Sequence, residues 1–293
     1  MVPSLTPVAG FRQQRRGTEM WQGRRVIVAG GTAGFGLVLG RHVARAGGRV
    51  LLVGRSNDGV RKALAVCERD GGLAAEARGL AADLERVGEG ERVVAEALRL
   101  LGGLDDLFFC VGRSGRAATL QAGRESFQAF LDANLMSAVD VTAAAADHVA
   151  TARGHLVYVG SLAGKLVTPF MGPYAVAKSA LAAYVDAVRI ELEPRGAHVL
   201  LVSPGPIGRA ADDPAAERSA ERYAAEIAAA GLPPEAARPG GTSRLRPLDP
   251  DRLATAVLDA CRRRTAELVV PRKAGLLAGL IEWFPNQGRR LLK

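Results

Sequence analysis

Ser161, Tyr174 and Lys178 are the residues of this chain whose types and spacing suit proton chemistry at an oxygen atom. Tyr174 and Lys178 stand four residues apart in Pro173-Tyr174-Ala175-Val176-Ala177-Lys178-Ser179, and on a helix such positions share a face. An ammonium held beside a phenol favours the phenolate and lowers the tyrosine from its usual pKa of about 10. A tyrosine tuned in this way exchanges a proton with a substrate oxygen near neutral pH. Ser161, thirteen residues upstream, can hydrogen-bond the same oxygen if it ends a strand facing that helix. Together the three are equipment for interconverting a carbonyl and an alcohol.

Positioning them requires a scaffold, and the chain alternates strand and helix signals. Apolar runs predict strands at 25–29, 50–53, 75–80, 104–111, 155–159, 198–203 and 267–270. Helical spacing falls between them, at 34–45, 61–69, 89–101, 125–149 and 174–193, with an Asp-capped helix at 249–263. This order implies an α/β, Rossmann-like doubly wound parallel sheet of about seven strands in a single domain. Sheets of that kind are covered by helices on both faces, which accounts for strands that are continuously apolar. Residues 1–19 read as a flexible extension, 20–271 as the Rossmann-fold domain and 272–293 as an amphipathic segment with basic ends. Within the domain, 210–248 mixes a charged helix with Pro- and Gly-rich breaks.

A length of 293 residues and 48% hydrophobic content are ample for one large core. The net charge of +9 favours anionic ligands, acidic carrier proteins or anionic membrane surfaces, although solvated arginines account plainly for most of it. With no helix-turn-helix or zinc-finger pattern, charge alone would speak for nucleic acid, and none is expected as a partner. Three scattered cysteines, Cys67, Cys110 and Cys261, read as free thiols of a reducing cytoplasm, with no metal site. Residues 1–19 hold no apolar h-region, and no apolar run is long enough to span a bilayer.

After the first strand comes Ala29-Gly30-Gly31-Thr32-Ala33-Gly34-Phe35-Gly36, a GxxxGxG spacing that opens a helix. Small residues there let backbone and helix N-terminus approach a pyrophosphate, though a tight strand–helix turn would use glycine too. At the end of the second strand, Gly54-Arg55-Ser56-Asn57 replaces the acidic residue that would bind ribose hydroxyls. An arginine beside a hydroxyl suits a 2′-phosphate, so NADP(H) is expected over NAD(H). Asp83 can accept a bond from an adenine amino group or serve as a helix N-cap.

From about residue 23 to 207 the chain resembles the short-chain dehydrogenase/reductase family. The likeness rests on the glycine turn, Asp83, Asn134, Ser161, Tyr174-x-x-x-Lys178 and Pro204-Gly205 in order. The resemblance implies that Tyr174 is the acid in ketone reduction and the base in alcohol oxidation. Lys178 would lower its pKa and bond the nicotinamide ribose, Ser161 would polarise the substrate oxygen, and Asn134 would hold a water on the proton path. The cofactor would meet Gly30, Thr32, Ala33, Gly34, Phe35, Gly36, Arg55, Ser56, Asp83, Leu84, Gly112, Tyr174, Lys178, Pro204, Gly205 and Ile207. Two stretches depart from the family: Phe109-Cys110-Val111-Gly112 keeps only the glycine of Asn-Asn-Ala-Gly, and Pro204-Gly205-Pro206-Ile207-Gly208-Arg209 lacks the usual threonine.

The region 206–248 corresponds to the family's substrate lid. Leu162, Val167, Phe170 and Met171 suggest a hydrophobic pocket or ordinary core, while Arg113 and Arg116 are anion ligands or exposed charges. The tail, with Trp283-Phe284-Pro285, is similar to those of reductases acting on lipid-like ketones, and it can rest on a membrane surface or pack on protein. The resulting expectation is a cytoplasmic NADP(H)-dependent ketone/alcohol oxidoreductase, peripheral to the inner face of a membrane and a homodimer or homotetramer. Its substrate is a small molecule, a long-chain or otherwise hydrophobic ketone, aldehyde or alcohol. The alternatives are a reductase of acyl-carrier-linked 3-oxoacyl groups and a non-catalytic NADP(H)-binding sensor or scaffold.

Overall fold

The computed structural model describes residues 20–70, 76–215 and 246–290, with scattered positions between 221 and 236. The N-terminal extension, most of the charged helix expected within 206–248 and the last three residues lie outside the described residues. The strands are β1 (Arg25–Ala29), β2 (Arg49–Gly54), β3 (Ala77–Ala81), β4 (Asp106–Phe109), β5 (His155–Val159), β6 (His198–Pro204) and β7 (Glu267–Val270). Among the described residues these seven form one sheet in the order β3-β2-β1-β4-β5-β6-β7, parallel throughout. The direction of winding reverses between β1 and β4, and ligands of such sheets bind at the carboxyl ends there.

Helices cover both faces. The longer ones are α1 (Gly34–Arg45), α2 (Asn57–Arg69), α3 (Glu89–Leu101), α4 (Arg124–Leu131), α5 (Ser137–Thr151), α6 (Gly172–Leu192), α7 (Pro250–Arg262) and α8 (Arg272–Trp283). A short α9 (Pro285–Arg290) follows. Successive strand residues point to opposite faces, so Ile27, Leu107 and Leu156 pack under α3, α5 and α6. Their neighbours Val28, Phe108 and Val157 pack under α1, α2 and α7. Both sets are fully buried, which is why the strands carry no polar alternation.

The amino end of the sheet is pinned by a buried ion pair. The carboxylate of Asp106 has no exposed surface and accepts two bonds from the Arg24 guanidinium, both at 2.6 Å. It also accepts the His155 backbone N–H at 2.8 Å, so one acid ties β4 to β5 and to the residue before β1. No helix among the described residues is long and apolar enough to cross a membrane.

Among the boundaries that differ from the sequence reading, three have a local reason. Helix α2 starts at Asn57 rather than 61, because the Ser56 hydroxyl caps it by accepting the Gly59 N–H at 3.1 Å. The predicted 104–111 strand shortens to Asp106–Phe109, with Asp105 turned to pair with Arg25. The expected 125–149 helix is interrupted by a π-helical stretch, Asp132–Met136, that carries Asn134. Widened turns of this type are frequent at functional sites. Asp83 caps no helix: α3 has Gly88 as N-cap, and Asp83 instead opens the 83–86 turn beside Arg86.

Candidate active site

The carboxyl ends of β1, β4, β5 and β6 converge on a cavity of about 880 Å³. Strand β5 ends at Val159, and two residues on, Ser161 starts a single 3-10 turn, Leu162–Gly164. Its hydroxyl accepts the Ala163 N–H at 3.1 Å, which leaves the hydroxyl proton as a donor. Helix α6 begins at Gly172 with Pro173 in its first turn, so Tyr174 and Lys178 lie on successive turns of one face. All three side chains line the cavity.

Lys178 is buried, 4% exposed, and donates to the Val159 carbonyl at 3.0 Å. Burial disfavours its charge and pushes its pKa down to about 8. Its Nζ lies 6.0 Å from the centre of the Tyr174 ring. That ring also packs against Phe130, 6.4 Å between centroids and inclined at 65°.

Asn134 stands behind Lys178. Its amide nitrogen donates to the Arg113 and Phe130 carbonyls, both at 2.9 Å, which uses both protons. Its Oδ1 is buried with no hydrogen-bond partner in the protein. A methyl group placed on Gly112 would lie 2.7 Å from that oxygen and 3.0 Å from Lys178 Nζ. The orphaned acceptor and the ammonium therefore flank one small space, kept open by a glycine. Buried acceptors are costly without a partner, and a polar gap of this kind suits a bridging water.

The glycine turn is close-packed. Gly30 has φ of +77°, and a Cβ there would lie 2.9 Å from the Cys110 backbone. A Cβ on Gly36 would lie 2.2 Å from the Gly30 carbonyl oxygen, so α1 can start this close to β1 only with glycine. Gly54 admits the Thr32 side chain against the end of β2. The first turn of α1 has no side-chain cap from Ala33 and no acidic residue of its own. Its backbone N–H groups suit an anionic cofactor group. At the end of β2, Arg55 is exposed and Ser56 keeps a hydroxyl proton to donate while capping α2. An orphaned acceptor, a glycine cradle and a cationic β2 end fit a dinucleotide.

The structure gathers some predicted residues and separates others. Phe35, Gly112, Ser161, Tyr174, Lys178, Pro204, Gly205 and Ile207 line the cavity. Gly30, Thr32, Ala33, Gly34, Gly36, Arg55, Ser56 and Asp83 belong to the turns after β1, β2 and β3, along the same edge of the sheet. Leu84 is buried in the core under α3, so only its backbone is available to a ligand. Of the expected apolar pocket, Leu162 and Met171 form walls; Val167 is 56% exposed and Phe170 lies off the cavity. Arg116 lines it and bonds the Ala236 carbonyl, whereas Arg113 sits over the Phe130 ring. Cys110 stands beside Lys178, and burial holds its thiol up at about 12, so it is an inert wall.

Residues that sequence reasoning missed are Leu166, Arg209, Lys273 and Leu277. Lys273 and Leu277 arrive because β7 lies beside β6, which delivers α8 to the cavity rim. The visible signal was the short gap between the last strand and the amphipathic tail.

This fold and site define a class, and sequence comparison agrees. The family model described as short chain dehydrogenase matches residues 24–219, and the chain belongs to that family. It is a family of oxidoreductases that act on CH–OH groups with NAD(P)(H). Among curated relatives, a Macaca fascicularis protein named "Hydroxysteroid 11-beta-dehydrogenase 1-like protein" is 31% identical over 90% of this chain and 84% of its own. Proteins of the same name from Bos taurus and Homo sapiens are each 32% identical over 61% of this chain, and the matches span 62% and 56% of their lengths.

Proposed function

We propose that this protein is an NADP(H)-dependent reductase or dehydrogenase that interconverts a bulky apolar ketone and its alcohol. The observation that carries the reading is the convergence of Ser161, Tyr174 and Lys178 on one largely apolar cavity, with Asn134 behind the lysine. Bound nicotinamide supplies or accepts the hydride. The rest of the task falls to the protein: Tyr174 gives a proton to the carbonyl oxygen in reduction and takes it back in oxidation. The Ser161 proton, left over from its bond with Ala163, points the substrate oxygen towards the phenol. Lys178 spends one N–H on Val159 and keeps two, one for a ribose hydroxyl and one for a water beside Asn134 Oδ1, while its charge favours the phenolate through space. A water held between Lys178 Nζ and Asn134 Oδ1 returns the proton towards solvent.

The cofactor preference follows from Arg55 and Ser56, which offer a fork and a hydroxyl proton where an acid would favour unphosphorylated ribose. For the substrate, Leu162, Leu166, Met171, Pro271 and Leu277 make the walls apolar, and the relatives' names point to steroid-sized compounds. Residues 206–248, many of which lie outside the described residues, act as the substrate lid in this reading. Helix α8 turns Ala274 and Leu277 inwards while Leu276, Leu280, Trp283 and Phe284 are exposed outside. Beside Arg272 and Lys273, that outer face suits contact with an anionic membrane surface that stores apolar substrate.

The deciding experiment is a panel of apolar ketones and alcohols assayed with NADPH and NADH, run with wild type and Tyr174→Phe. Turnover with NADPH in the wild type, lost in Tyr174→Phe with cofactor binding intact, is the expected result. Equal turnover of the two enzymes, or clear preference for NADH, would refute it. Co-sedimentation with anionic liposomes, absent for Trp283→Ala, tests the membrane surface.

A further inference from the structure

The first turn of α1 is completed by an acid from far along the chain. Asp213 Oδ1 accepts the Gly34 N–H at 3.1 Å, a contact spanning 179 residues of sequence. The other oxygen, Oδ2, accepts from Arg209 Nη1 at 2.6 Å, and Oδ1 also accepts the Ala215 N–H. The Asp213 side chain is 1% exposed, so this carboxylate is a built-in anion and not a passing surface contact. Burial opposes its charge, yet the Gly34 N–H, the Arg209 guanidinium and the Ala215 N–H together hold it below the usual carboxylate range. Arg209 itself lies over the glycine turn: a Cβ on Gly34 would come within 3.1 Å of its Nη1. Arg209 also lines the cavity that holds Tyr174 and Lys178.

Two anions cannot share that N–H. A dinucleotide's diphosphate would be drawn to the α1 N-terminus by the same groups and the same helix dipole that now hold Asp213. Placed there beside an ionised carboxylate, it would meet like-charge repulsion in a poorly solvated spot. Meanwhile the guanidinium that neutralises Asp213 has the planar fork that phosphate oxygens accept.

We propose that Asp213 is an internal stand-in for the cofactor's diphosphate, and that cofactor entry transfers the Gly34 N–H and the Arg209 guanidinium from this carboxylate to the diphosphate. Segment 206–213, held at its start by the pairing of Ile207 with Leu248, then rearranges as the cofactor seats. Because the same segment forms part of the cavity wall through Pro206, Ile207 and Arg209, loading of the cofactor is coupled to the shape of the substrate site. The inference rests on the dinucleotide reading above and assigns a regulatory role to two residues that reading does not need.

The test is a fluorescence titration of NADPH, repeated with NADH, on the full-length chain without substrate. Asp213→Ala should tighten NADPH binding by roughly tenfold, the worth of one hydrogen bond to a charged group, and Asp213→Asn by less. Arg209→Ala should weaken binding by about tenfold, and should do so again in an Asp213→Ala background. Asp212→Asn removes an equal charge from the adjacent residue, which bonds Arg41 instead of the turn, and should leave affinity unchanged. Unfolding temperatures establish that each variant is folded. Unchanged or weaker binding in folded Asp213→Ala overturns the proposal, as does equal tightening in Asp212→Asn. Absence of any effect of Arg209→Ala in the Asp213→Ala background overturns the transfer of the guanidinium. If wild type binds neither nucleotide but Asp213→Ala does, the stand-in is supported in its strongest form. If neither protein binds either nucleotide, the cofactor reading itself falls and takes the proposal with it.

Discussion

Gly112→Ala adds one carbon atom at the point where the proposed proton path is narrowest. The new methyl would sit 2.7 Å from Asn134 Oδ1 and 3.0 Å from Lys178 Nζ, against about 3.4 Å for an ordinary contact. Neither partner gives way easily. Asn134 is tied through both amide protons, and Lys178 is buried and bonded to Val159. One or both must move by about half an ångström, and the space between them closes to water. Overpacking of this size costs about 1–3 kcal/mol of stability, which lowers the unfolding temperature by about 2–4 °C for each kcal/mol. The effect on rate should be larger in proportion, since displacing a catalytic group by an ångström can cost about a hundredfold. A drop of tenfold or more in kcat for ketone reduction is therefore expected, with NADPH affinity changed by only about threefold. Stopped-flow decay of NADPH absorbance and calorimetry read the two quantities. Gly279→Ala is the matched control, because it meets nothing within 4 Å and lies within α8. It should leave turnover intact and stabilise slightly. Wild-type turnover in a folded Gly112→Ala protein would refute the view that Asn134 and Lys178 share a working space.

Other predictions follow from the same structure. Lys178 has a folded pKa of about 8, below the ordinary 10.5, so between those values the unfolded chain holds a proton that the folded chain has lost. Stability of the cofactor-free protein should accordingly rise with pH from about 8 to 10.5, a rise absent in Lys178→Met by thermal unfolding across pH. Over the same window kcat/KM for ketone reduction should fall, because the neutral amine no longer supports the phenol as an acid. Asp106→Ala should destabilise the fold by about 3–5 kcal/mol, read from the urea midpoint, because it strands Arg24 and the His155 N–H at the base of the sheet. A loss under 1 kcal/mol would show that the pair is dispensable. Arg55→Ala should raise the KM for NADPH about tenfold and leave that for NADH nearly unchanged; equal changes for both would remove the basis for 2′-phosphate selection.

Apolar runs set between stretches of helical spacing placed the strands of the sheet, most plainly the central ones, which are buried on both faces; β3 and β7 at the edges are only partly buried. Tyr174 and Lys178 were legible for a simpler reason: their geometry is local, set by the pitch of one helix. The same holds for the glycine turn, where spacing alone dictates how closely α1 can approach β1. The start of α2 was misplaced although its cause is local, since the Ser56 hydroxyl caps the helix through the Gly59 N–H three residues on. Elsewhere legibility failed where partners are distant in sequence. Asn134 was found by family likeness, but the π-helical turn that presents it depends on how 132–136 packs against α6.

The sequence by itself determined the class of fold and the placement of Tyr174 and Lys178 on one helical face, since both follow from periodicities that the backbone imposes on neighbours. Tertiary structure alone decided which groups share a space: the unpartnered Oδ1 of Asn134 opposite Lys178, α8 against the cavity, and Asp213 on the Gly34 N–H. Each of these contacts joins segments separated by tens to hundreds of residues. Their distances are set by the order of strands in the sheet, and no local pattern of residue types encodes that order.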